Sequence, residues 1–161
     1  MREHAIIPRQ ISAQISCLDI VNAHATARVS LWGGQVLRFM PHQDSRERLF
    51  TSTQAIWDGS KSIRGGIPVC WPWFGAHPQG SSFPAHGYVR TRPWRLLESS
   101  EETAYTRLLL APADVQGAGF DGLASLELEI LVGRTLTLVL RTRNLGKTPF
   151  KLTTALHSYF N

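Results

Sequence analysis

The stretch Ala124 to Arg141, ASLELEILVGRTLTLVLR, limits what this chain can fold into more than any other. Leu126, Leu128, Ile130 and Val132 fall on one side of an extended backbone, and Ser125, Glu127 and Glu129 fall on the other. Gly133-Arg134 then turns the chain, and Leu136, Leu138 and Leu140 alternate with Thr135, Thr137, Val139 and Arg141. A period of two with one apolar side is the signature of a β-hairpin that buries a single face. Shorter runs of the same kind occur at Ser16–Val21, Ala27–Leu31, Val36–Met40 after Gly33-Gly34, Trp94–Leu97, Tyr105–Leu110 and Phe150–Phe160. No long window shows a capped 3.6-residue period, so helices are not expected. Many short strands punctuated by Gly, Pro and Asn predict an all-β fold, an antiparallel β-sandwich or barrel.

At 161 residues the chain is sized for one domain over 1–161, with no linker or repeat that would divide it. Hydrophobic residues make up 43% and charged residues 18%, which places it among folded chains and not disordered ones. No apolar run approaches the ~18 residues of a membrane span, so no membrane partner is expected. MREHAIIPRQ lacks the apolar core of a secretory signal. Cys17 and Cys70 have no metal-ligand spacing; free thiols in a reducing cytoplasm are the expectation, with a disulfide between them left open.

The net charge of +5 comes from 17 basic residues, 14 of them Arg. They are scattered along the chain, with no tract of the kind a nucleic-acid face uses, so no nucleic-acid partner is expected. The chain stops at Asn161 directly after TTALHSYF, and a patterned segment cut so close to its last apolar residue predicts a sandwich truncated at its C-terminus.

The irregular part runs from Asp58 to Pro84, and long loops of this kind in compact domains are functional or disordered. Trp71, Trp73 and Phe74 argue against disorder. Within RGGIPVCWPWFG, Gly65-Gly66 suits either a tight turn or a concave nest for an anion, and Arg64 offers a planar fork to a phosphate or carboxylate. The three rings suit an apolar wall for the C–H face of a sugar, or burial in the core. In PAHGYVR, His86 and Arg90 would share a face if the segment is a strand. In TTALHSYF, His157 shares a face with Ala155 and Tyr159 while Leu156 and Phe160 face away, and an imidazole there is a candidate general acid near neutrality.

Together IRGGIPVCWPWFG, PAHGYVRTRPW and TTALHSYFN resemble the hexose-6-phosphate mutarotases (glucose-6-phosphate 1-epimerases) of the aldose 1-epimerase, galactose mutarotase-like superfamily. The resemblance runs from about Ile20 onward and covers only the N-terminal part of that family's domain. It implies a galactose mutarotase-like super-sandwich, located in the cytoplasm, that interconverts the α and β anomers of a hexose phosphate by acid/base ring opening. It further implies that Arg64 and Arg90 grip the phosphate, His86 binds beside the pyranose ring and His157 is the catalytic acid. Ala85 stands where some relatives carry Gln. No metal and no other cofactor is implied. The family's catalytic base is a Glu with no counterpart up to Asn161, which leaves a non-catalytic phosphosugar-binding sandwich as the alternative. A monomer is implied for the complete domain, with self-association open to the fragment.

Overall fold

The structure, a computed structural model, describes residues 5–161. The alternating segments form two four-stranded antiparallel sheets. The first contains β1 (Ala5–Gln10), β2 (Ser16–Val21), β3 (Ala25–Ser30) and β4 (Gln35–Pro41), in that order. A two-residue strand, β5 (Val69–Cys70), comes next in the chain. The second large sheet follows as β6 (Trp94–Glu101), β7 (Tyr105–Pro112), β8 (Ala124–Gly133) and β9 (Leu136–Asn144), again in chain order. A last short strand, β10 (Ala155–Leu156), pairs with β5. Among the described residues no helix is long and apolar enough to cross a membrane.

The two sheets face each other across one core. From the first come Leu18, Ile20, Ala27, Val29, Val36 and Phe39; from the second come Leu108, Leu110, Leu126, Leu128, Ile130 and Val132. Burying each Leu or Ile stabilises the fold by about 1.5–3 kcal/mol relative to exposure. The hairpin expected from the sequence is present, with Leu128 opposite Leu140, Ile130 opposite Leu138 and Val132 opposite Leu136. On its outer face Glu129 accepts from Arg107 (2.6 Å) and Arg141 (2.7 Å), which holds its carboxyl below the usual range. The sheets are also tied by a buried polar group. Asn22 donates to Thr106 Oγ1 (2.9 Å) and Val132 O (2.8 Å), and its oxygen accepts from the amides of His24 and Ala25. All four bonds are needed because an unpaired amide here would cost about 1–3 kcal/mol.

Three elements depart from the sequence expectation. β1 carries Pro8, which an edge strand tolerates because one side of its backbone needs no ladder partner. Phe150–Phe160 is not one strand: only Ala155–Leu156 joins β5. The rest threads through single backbone bonds, from Thr153 N to Pro72 O (3.1 Å), His157 N to Pro68 O (3.0 Å) and Tyr159 N to Gly66 O (2.9 Å). His86–Arg90 is not a strand either. His86 occupies a turn at φ +66°, and Arg90 lies in a short 3₁₀ turn, Val89–Thr91.

Candidate active site

Tryptophan burial sets the shape of the loop that carries the candidate residues. Trp71 and Trp73 are in the core, at 0% and 5% exposure, so the wall expected of three rings is reduced to one. Trp71 lies edge-on to Phe120 (5.0 Å) and Tyr88 (6.1 Å), and its indole N–H donates to Thr142 Oγ1 (3.0 Å). Trp73 packs on Tyr88 (5.5 Å) and donates to Pro84 O (2.9 Å), two residues before His86. Phe74 alone of the three points outward, at 47% exposure, with its amide donating to Thr153 Oγ1 (2.8 Å).

Two glycines let this loop pass other backbone at contact distance. A Cβ on Gly87, at φ +70°, would lie 1.9 Å from Trp71 O, while Tyr88 N–H donates to that same oxygen (3.1 Å). A Cβ on Gly66, at φ +59°, would lie 2.1 Å from Val36 O. The Gly66 N–H donates to Phe50 O (2.7 Å). The Gly65-Gly66 pair is therefore a packed turn, and the anion nest considered from sequence is not formed there, because this donor is already committed.

Three of the four predicted site residues come together. The His86 and His157 rings are 6.0 Å apart, and Phe74 sits 5.0 Å from the first and 6.1 Å from the second. Tyr159 packs on His157 at 4.9 Å. Arg90 reaches back to donate to Ala85 O (3.0 Å), which leaves most of its five N–H groups uncommitted. Its charge is felt at His86, whose imidazole is held below the ordinary value by burial first, then by Arg90 and His157. Burial raises the Cys70 thiol against the opposing pull of Arg90. His157 Nδ1 is buried and has no hydrogen-bond partner among the described residues. Both cysteines are free and buried.

Arg64 is placed differently. It is exposed, and its backbone is fixed by Ser52 N–H on its carbonyl (2.9 Å). Buried Gln35 braces the flanking residues through Ile63 O (2.9 Å) and Gly65 O (2.5 Å). Its side chain makes no hydrogen bond, ion pair or ring contact with His86, Arg90 or His157. The link is indirect, through Gly66 O and the Tyr159 amide. Of five surface depressions among the described residues, none is lined by Arg64, Arg90 or His157.

Sequence reasoning missed two supporting parts. Thr153 gives no signal, since the Thr153-Thr154 pair of TTALHSYF reads as strand. Gly75, whose backbone holds His86 through two hydrogen bonds, is visible only as one more loop glycine.

The sequence and the fold of two sheets over one core match a known family. Residues 16–161 match the aldose 1-epimerase family, and the chain belongs to it. It is 30% identical over 158 residues to an Escherichia coli (strain K12) protein named "Putative glucose-6-phosphate 1-epimerase", covering 97% of this chain and 52% of that one. A Cenchrus ciliaris protein of the same name is 32% identical over 145 residues, covering 83% and 43%. The crystal structure of a "putative mutarotase" from Salmonella typhimurium matches with a TM-score of 0.84 at 27% identity, covering 98% of this chain and 55% of that one. The chain spans about half the length of the curated relatives it matches. The expected antiparallel, galactose mutarotase-like architecture is the one observed.

Proposed function

We propose that this chain carries the phosphosugar-binding part of a cytoplasmic hexose-6-phosphate mutarotase, acting on the α and β anomers of glucose 6-phosphate. In this reading residues 1–161 are the N-terminal part of one β-sandwich domain. The observation that carries the proposal is the cluster of His86, His157 and Arg90 around the outward ring of Phe74, in a chain of the aldose 1-epimerase family. Phe74 offers an apolar face to the C–H side of a pyranose. Arg90, joined by the exposed side chain of Arg64, takes the phosphate, for which a guanidinium fork is well matched.

The chemistry asks for two proton transfers. His157 gives a proton to the ring oxygen as a base removes the proton of the C1 hydroxyl, and the C1–O5 bond opens to the aldehyde. Rotation about C1–C2 and the reverse transfers close the ring on the other face, with no net change in atoms. A positioned acid or base typically contributes about 10²–10⁴-fold.

A second reading is a non-catalytic phosphosugar-binding module. It is favoured by a specific observation: among the described residues the charged groups that bear on His86 are Arg90 and His157, with no carboxylate among them. Exchange NMR between the anomers of glucose 6-phosphate separates the two. Enhancement over buffer supports the mutarotase; binding without enhancement supports the module. Under either reading Arg64→Ala and Arg90→Ala should each weaken glucose 6-phosphate by about 10-fold or more and free glucose far less. Equal losses for both sugars would contradict the phosphate assignment.

A further inference from the structure

His86 is held from two directions by one residue. Its backbone N–H donates to Gly75 O (2.8 Å), and the Gly75 N–H donates to His86 Nδ1 (3.0 Å). A peptide N–H only donates, so Nδ1 must be the accepting nitrogen, and the proton of the neutral ring resides on Nε2. The backbone of His86 is itself in the left-handed region at φ +66°, a conformation that non-glycine residues rarely adopt and that persists only where its surroundings impose it. Protonating Nδ1 would break the Gly75 bond and place a second cation beside Arg90, whose guanidinium is steadied on Ala85 O.

The neighbouring imidazole has no such restraint. His157 is fixed at its backbone by Pro68 O (3.0 Å), but its buried Nδ1 meets no donor or acceptor among the described residues. The groups facing the pair are Arg90, the Phe74 ring and the Tyr159 ring.

We infer that Gly75 is a positioning residue of this site: its clamp locks His86 in the Nε2–H tautomer, as a fixed donor to an oxygen of the bound sugar. This rests on the function proposed above, in which His157 is the acid. A donor held in one tautomer presents the same hydrogen bond to ground and transition states, whereas an acid must be free to gain and lose its proton.

Two measurements test it. The first is two-bond ¹H–¹⁵N NMR of the histidines in the ligand-free chain, between about pH 6 and 8. An Nε2-protonated His86 that titrates below the ordinary histidine value is expected; an Nδ1-protonated ring, or one titrating at the ordinary histidine value, would overturn the lock. The second compares His86→Gln with His86→Asn for glucose 6-phosphate affinity. The Gln amide nitrogen reaches the Nε2 position, so affinity should stay within about threefold, while the shorter Asn loses the donor and about tenfold. A purely structural role predicts the reverse order, because Asn accepts a positive φ better than Gln does. Asn equal to or better than Gln therefore overturns the donor role. The NMR arm needs no sugar: a chain that ignores glucose 6-phosphate removes the proposed function and the donor role, and an Nε2–H signal there still establishes the clamp.

Discussion

The β6–β9 sheet and the loop from Arg64 to Thr91 press on the same core, yet they are anchored in opposite ways. The sheet spreads its hold over repeated, similar contacts: Leu108, Leu110, Leu126, Leu128 and Ile130 are each nearly or fully buried. The loop depends on a few positions where only one residue type fits, such as Gly66 against Val36 O and Gly87 against Trp71 O. The loop also buries Ile67, Val69, Trp71 and Val89, but the side chains it aims outward gain little from that core. Its precision comes from close backbone passages, and those are intolerant of change.

The contrast predicts an order of damage. Gly87→Ala forces a Cβ onto a carbonyl at positive φ and should destabilise by on the order of 4 kcal/mol or more, or abolish folding. Leu128→Ala, at a fully buried sheet position, should cost about 2–5 kcal/mol with the fold retained. Urea denaturation ranks the two, and a Gly87→Ala chain that proved milder than Leu128→Ala would break the comparison.

A smaller effect comes from pH. The His86 imidazole is held below its ordinary value of 6.5, by burial first. Below pH 6.5 the unfolded chain takes up a proton that the folded one does not, so stability rises with pH across this window. The contribution is present above 6.5 and is lost as pH falls through the lower folded value. Thermal melts taken from about pH 7.5 down to 5 should show wild type losing more than His86→Gln. Parallel curves would mean that the loop does not hold this ring neutral.

The same contrast explains what could be read from the sequence. Leu126 to Leu140 repeats one rule along two long strands, so its pattern announces both strands and the buried face. Val69–Cys70, between Pro68 and Pro72, is too short to show any period. Ala5–Gln10 hides behind Pro8, which only an edge position explains. The even spacing of His157 and Tyr159 held even where the backbone is not a strand, because an extended chain alternates its side chains whether or not it is paired. For His86 and Arg90 the strand was wrong but the proximity was right: Gly87 turns the chain, and the 3₁₀ turn brings Arg90 back. Trp71 and Trp73 read equally well as wall or core, since a pattern of aromatics and prolines carries no direction.

The central claim is that Phe74, His86, Arg90 and His157 act on one ligand. Amide ¹H–¹⁵N spectra of the chain titrated with glucose 6-phosphate test it most directly. The account predicts that Phe74, Gly75, His86, Arg90 and His157 shift together along one binding curve. Shifts gathered instead around Asp121 and the Lys147–Lys151 loop, with these residues unmoved, would contradict it.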